Sequence, residues 1–288
     1  MTRYLVGVDG SDRSDRALEW AARRARETGA SLTMLSVVDP DVARVLDYEV
    51  DDMREIAERV LGLSKLRVEQ RYPELELTMR VVEGSIIDEL VEAAEGHDMV
   101  VMSSHHGATV GETLGGAKGL KVSVSVDVPC AIVPADWSEE AEGDGVLVGI
   151  GPDGASECAI AFGVEEALRE GCALEMVSSW DRPPLFSHSD VRHDGAVETY
   201  GDQLQRALDA RIASLSVQHP GLVATGEAVE ATPASRVLIE RSVGKKMLVM
   251  GTHSRNALGR ALFGSVCHSV LLNLKVPTVI VPQVSMQP

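Results

Sequence analysis

Apolar residues recur along the chain in short, nearly continuous runs, at 4–8, 32–38, 77–82, 99–103 and 129–134. Runs of that length, apolar on nearly every position, predict strands of a sheet covered on both faces. Between them the period changes. Ala17, Leu18, Ala21, Ala22 and Ala25 fall at helical spacing, with Ser and Asp before them as caps and Gly29 after as a stop. Leu90, Val91 and Ala94 form a second stripe of that kind. Such alternation predicts a parallel doubly wound sheet with right-handed crossovers.

The pattern is written twice. YLVGVDGSDRSDRALEW (4–20) matches VLVGIGPDGASECAIAF (146–162), and ETGASLTMLSVVD (27–39) matches EGCALEMVSSWD (170–181) with one gap. MVVMSSHHGATVGETLGG and the VPCAIVP after it run without gaps against MLVMGTHSRNALGRALFG and VPTVIVP. A repeat of this length is a whole domain, not a solenoid module. The expected fold class is therefore α/β: two tandem five-stranded parallel doubly wound, Rossmann-like sheets with helices on both faces. The expected domains are residues 1–136 and 145–288, and the acidic ADWSEEAEGDG (135–145) between them reads as a solvated linker. The repeat also settles an ambiguous segment. LKVSVSV (120–126) alternates like a strand, but its match HSVLLNL (268–274) suits a helix, so both are read as helix.

Composition narrows the partners. Aromatic residues make up 3% of the 288 positions, so the core must be aliphatic. The net charge of −17 repels nucleic acid and anionic membrane alike, and excludes both as partners. Any phosphate would have to be held locally, by backbone amides and a few cations. Cys130, Cys158, Cys172 and Cys267 show no CxxC pairing, which suggests reduced thiols in a cytoplasmic protein. The start turns polar by residue 9, unlike a signal peptide, and no apolar run approaches the ~18 residues of a membrane span.

Candidate chemistry gathers in GTHSRNALGRALFGSV (251–266). Ligands of parallel α/β sheets bind at the carboxyl ends of strands, and Gly251 lies there. Without a Cβ it lets a phosphate or ribose approach the backbone. Gly264 and Ser265 open a helix whose buried face is expected to carry Val266, Val270, Leu271 and Leu274. The first amides of that helix suit an anion, Ser265 adds a hydroxyl, and Arg255 and Arg260 add positive charge. No GxxxxGK[ST] and no GxGxxG after the first strand occur. Taken alone, the loop reads better as a glycine-dotted turn before a helix than as a phosphate site.

Other candidates have plainer readings. His105 and His106 point apart at a strand end and have no acidic partner spaced with them. SHSDVRHDG (187–195) is expected to be a solvated loop. Cys267, just inside a helix, is better read as a small buried hydrophobe than as a low-pKa thiol. No nucleophilic triad, carboxylate pair or HExxH is persuasive, so no catalytic and no metal-binding residues are expected.

The spacing G-x2-G-x9-G-[ST] after a fourth strand, with GVDGS at the end of the first, resembles the universal stress protein family. The likeness covers the whole chain as two copies. It implies a five-stranded parallel sheet and, in many members, an ATP site. There an aspartate after the first strand meets the adenine, a valine after the second lines the base, and the glycine loop holds ribose and phosphates. In the second half Gly251, Gly264 and Ser265 match, with His253, Ser254, Arg255 and Val266 completing the loop. Ser254 stands at the second glycine, Gly151 stands where the aspartate belongs, Asp153 could replace it only across a longer turn, and Ser179 faces the valine position. The first half is the mirror case. Asp9 and Val37 match, but Ser103, His106 and Ala117 replace Gly, Gly and Ser, leaving only Gly116.

The resemblance thus implies a stress-associated regulatory protein that binds ATP, with or without magnesium, in its second half and does not turn it over. It further implies an unidentified protein partner and an intramolecular pseudo-dimer formed by the VPCAIVP and VPTVIVP strands, with a homodimer of the chain as a further assembly. A nucleotide-free interaction module and a slow ATPase are the alternatives.

Overall fold

The computed structural model describes residues 2–104, 113–151, 156–180, 191–231, 233–252 and 264–283. The chain divides into two compact units, Met1–Ala141 and Glu142–Pro288. Unit 1 runs β1 (Arg3–Gly7), α1 (Asp12–Thr28), β2 (Ser31–Val38), α2 (Pro40–Val45), α3 (Val50–Arg71), β3 (Leu77–Glu83), α4 (Ile86–Ala94), β4 (Met99–Ser103), α5 (Thr113–Ser125) and β5 (Cys130–Val133). Unit 2 runs β6 (Val146–Ile150), α6 (Glu157–Glu170), β7 (Leu174–Trp180), α7 (Val191–Gln218), β8 (Ala224–Glu230), α8 (Ala234–Ser242), β9 (Met247–Gly251), α9 (Ser265–Leu271) and β10 (Thr278–Val281).

Within unit 1 the strands lie in the order β3-β2-β1-β4-β5, all parallel, and unit 2 repeats that order as β8-β7-β6-β9-β10. The registers repeat too. Tyr4 pairs with Leu32 and Met99, as Val146 pairs with Leu174 and Met247. A one-residue slip would turn every side chain to the wrong face, so register is fixed wherever strands are buried. Leu5, Val6, Val100, Val101, Leu147 and Val148 are fully buried at the centre of their sheets. The outer strands depart from expectation. β3 and β8 are half-exposed, with Met79 44% accessible, because each has a neighbour on one side within its sheet.

Helices form where caps and stripes predict them. Ser11 caps α1, its hydroxyl accepting from the Ser14 amide at 3.2 Å, and Gly29 ends the helix in the left-handed region at φ +66. The alanine-leucine stripe of α1 is buried as expected. In α4 Leu90 and Ala94 are buried, joined by Ala93 in place of the half-buried Val91. Residues 120–125 are helical, so the repeat was the better guide than the local alternation.

Two expectations need correction. The stretch 135–145 is no freely solvated linker. Trp137 is buried, with the Arg23 guanidinium 5.6 Å from its ring centroid, and Glu139 pairs with Arg71. On the side of unit 2, the nearly buried Glu142 carboxylate faces Lys246 at 3.9 Å, and the Asp144 amide donates to Gly244 O at 2.9 Å. Apolar and charged partners within each unit outweigh the hydration of the run. Similarly, Val191–Gly195 of the second stretch lie inside the 28-residue α7, because helix propensity over so long a segment absorbs isolated polar residues; 187–190 lie outside the described residues. Among the described residues no group of three or more His, Cys, Asp or Glu could hold a metal, and no helix is long and apolar enough to cross a membrane.

Two stability predictions follow from this packing. A Cβ on Gly143 would stand 1.9 Å from Gly244 O, a clash with backbone that no rotamer relieves. Gly143→Ala should cost about 1–3 kcal/mol or more in a denaturant melt, whereas Gly221→Ala, with nothing within 4 Å, should be close to neutral. Equal midpoints would refute the contact. His97 supplies the second. Its Nδ1 donates to Ala93 O at 2.7 Å, which leaves Nε2 to accept from the Thr33 hydroxyl at 3.0 Å. Burial holds its pKa below the ordinary value of ~6.5. The neutral ring therefore contributes stability fully above pH ~6.5, and this is lost as pH falls through the lower folded pKa. His97→Gln should flatten that acid-side decline, and a wild-type slope in the variant would show that other groups cause it.

Candidate functional site

A doubly wound sheet has one crevice where strand order reverses, at the carboxyl ends of the strands. In unit 2 this lies between β6 and β9: the chain winds from β6 through β7 to β8, then returns by α8 to the other side of β6. Gly149 pairs with Met250 there. Just beyond, Gly251 ends β9 and Gly151 follows β6, so the topology brings these two glycines to one rim.

The next described element after Gly251 is α9. Gly264 occupies its N-cap position and no side chain caps the helix. Its backbone, φ −63 and ψ 136, is extended, so glycine is not needed there for its conformational freedom. Ser265 is exposed and Val266 half-buried at the start of the helix. The inward face consists of Cys267, Val270 and Leu271; Val266 and Leu274 are not on it, and Leu274 lies beyond the helix end. The Cys267 thiol donates to Gly251 O at 3.7 Å and so ties α9 to the end of β9. Burial pushes that thiol up to about 11, the behaviour of a small core residue. His253, Ser254, Arg255 and Arg260 lie outside the described residues, as does Asp153.

Around the base positions of unit 2 the polar groups already have partners. The Gly151 amide donates to the Ser156 hydroxyl at 2.9 Å, and the Ser179 hydroxyl donates to Ala231 O at 3.0 Å. Sequence reasoning missed Ser156, although a serine directly before a helical stripe is a cap signal. It also missed an aromatic pair on the same rim. Trp180 ends β7 and meets Tyr200 of α7 edge-on, ring centroids 5.5 Å apart, in space left by Gly201, whose Cβ would come within 2.9 Å of the indole. No spacing rule links residues on separate elements in this way.

Unit 1 presents the complementary set. Asp9 is exposed after β1, and its Oδ1 accepts from the Ser11 amide at 2.9 Å and hydroxyl at 2.6 Å. Val37 is half-buried on β2, in register with Val82. Ser103 ends β4 and is buried. Gly116 does not open a helix as Gly264 does: α5 begins at Thr113, which puts Gly116 within it. His105 and His106 lie outside the described residues. A groove of about 360 Å³ lies away from the strand ends, between α1 and α3. Its arginines are already paired, Arg67 with Asp15 through two 2.6 Å contacts and Arg16 and Arg71 with Glu19, so it has little to offer an anionic ligand.

The model of the universal stress protein family matches residues 1–134 and again 144–282. A universal stress protein of Mycobacterium tuberculosis is 29% identical over 290 residues, covering 97% of this chain and 96% of its own. One from Mycolicibacterium smegmatis is 27% identical, with 96% of each chain covered. Among solved structures, a universal stress protein from Archaeoglobus fulgidus shares the fold with a TM-score of 0.72 at 20% identity, covering 99% of this chain and 97% of its own. Another, solved in complex with cAMP, is similar over 46% of this chain and 96% of its own, at 24% identity and a TM-score of 0.39. Two matched copies of one domain, each with the same strand order and register, place this chain in the universal stress protein family as a tandem member.

Proposed function

We propose that this chain is a regulatory protein of the stress response that binds an adenine nucleotide, ATP with or without magnesium, in unit 2 without turning it over. One observation carries the reading: Gly251 stands at the switch-point rim, and the loop after it ends at a helix with no side-chain cap. Small residues at that rim leave room for a ligand's backbone-facing atoms, and uncapped first-turn amides favour an anion. Gly251, Gly264 and Ser265 are the assigned contacts, with His253, Ser254, Arg255 and Val266 completing the loop. Asp153 is assigned to the base in place of the missing aspartate, next to Gly151 and Ser179. Unit 1 is assigned no nucleotide: it keeps Asp9, Val37 and Gly116, but a buried Ser103 stands in place of Gly251.

Regulation then means that bound nucleotide biases affinity for a protein partner by shifting a population. A cytoplasmic site of action fits four free cysteines. β5 and β10 are each the last strand of their own five-stranded sheet, and apolar. Pairing of the halves through those strands belongs to the proposal, since an uncovered apolar edge invites aggregation.

A second reading, a nucleotide-free interaction module, is favoured by the internal partners of the Gly151 amide and the Ser179 hydroxyl. A thermal melt separates the two. Saturating ATP and magnesium, at about 100 times Kd, should add ~2.7 kcal/mol, several degrees for a unit of this size. Gly251→Asp should abolish the shift. No shift in protein shown to be free of nucleotide would leave the interaction module. Sustained phosphate release that disappears in Gly251→Asp would replace both readings with a slow ATPase.

A further inference from the structure

The connection from β2 to α3 in unit 1 carries an apolar surface that the fold leaves outside. Val45 is 84% accessible, Leu46 55% and Tyr48 51%, and on α3 Ile56 and Leu63 are 42% and 59% accessible. Ile56 and Leu63 are seven residues apart and share a helix face.

This knuckle is held firmly. The Asp39 carboxylate caps α2 by accepting from the Asp41 amide at 3.0 Å, and Pro40 opens the helix. Ala43 is fully buried beneath it. The Leu46 amide donates to Val42 O and the Tyr48 amide to Ala43 O, each at 3.0 Å. Between them Asp47 takes φ +58, a left-handed turn that aspartate tolerates better than most residues. The apolar side chains therefore stand out from an ordered scaffold, which lowers the entropic cost of using them as a contact.

The charge around them selects the occupant. Residues 39–63, the span from the α2 cap to Leu63, hold eight carboxylates and three arginines. Arg44 is engaged with Asp41 at 2.8 Å and Arg54 with Glu83 at 3.1 Å, while Arg59 is exposed between Ile56 and Leu63, so carboxylates still outnumber cations across the patch. Asp47, Glu49, Asp51, Asp52 and Glu55 are exposed. Nucleic acid and anionic membrane are repelled by such a frame. A second copy using the same patch would set these carboxylates against themselves, because a two-fold contact joins like with like. A basic polypeptide has the complementary charge, and apolar side chains on it would bury the exposed Val, Leu and Tyr. We infer that the α2–α3 knuckle of unit 1 is a docking surface for a basic polypeptide segment with apolar anchors. This holds whether or not unit 2 takes a nucleotide.

The test uses the full chain and a labelled 18-residue amphipathic helix of leucine and lysine, read by fluorescence anisotropy. A peptide with serine in place of each leucine serves as the charge-only control. Val45→Ser/Leu46→Ser should weaken binding at least ~10-fold, since two apolar side chains lose their contact with the peptide. Asp51→Asn/Asp52→Asn should weaken it and flatten its dependence on salt. Val217→Ser/Val223→Ser, at exposed positions of unit 2, should leave it unchanged. The mutated side chains are exposed or on the surface turn, and unchanged melting midpoints would show that each variant is folded. Equal binding of the serine peptide, or equal loss in the unit 2 control, would overturn the inference. So would sedimentation showing that the wild type self-associates and that Val45→Ser/Leu46→Ser does not, because the surface would then belong to a second copy.

Discussion

Burial of both faces of a parallel sheet is the constraint on which everything else depends. A strand such as β9 packs against both α6 and α8 and has a strand on either side, so it has room for aliphatic side chains and almost nothing polar. Chemistry is pushed to the ends of the strands. Because the order reverses between β1 and β4, and between β6 and β9, each unit has one rim where two strand ends are not bridged by their own connection. Glycines, serines and carboxylates collect there because the interior excludes them.

The two rims have diverged within one register. Strand pairing is common to both copies residue for residue, as Tyr4 and Val146 show. What differs is the lining. Unit 1 keeps a carboxylate turn, Asp9 closed on Ser11, while unit 2 closes the same turn by a serine hydroxyl on the Gly151 amide. After the fourth strand, unit 2 starts its helix at Ser265, whereas unit 1 is already helical at the matching Ala117. Sheet packing tolerates both, since neither change touches a buried strand position.

How much could be read in advance follows the same division. The strands, the α1 stripe, its caps and the helical 120–125 were legible, because burial imposes a period and the repeat supplies a second copy to check against. Glycines at the rim were legible by position. Pairings between elements were not: Ser156 on Gly151, Cys267 on Gly251 and Trp180 on Tyr200 join residues whose spacing obeys no rule. The acidic run at 135–145 misled because composition reports an average. It could not reveal that Trp137 sits under Arg23, or that Glu142 is nearly buried beside Lys246.

The buried thiols bear on how such a protein meets an oxidant. Reaction with peroxide needs a thiolate and a path to solvent. Cys130 is wholly buried with its pKa pushed up to about 12, and Cys267 is little different, so both stay in the unreactive form. Cys158 and Cys172 are half-buried in unit 2, and burial raises the Cys172 thiol as well. Thiol oxidation is therefore kept away from the strand β5 and from the tie between α9 and Gly251, whatever an oxidant does at the surface.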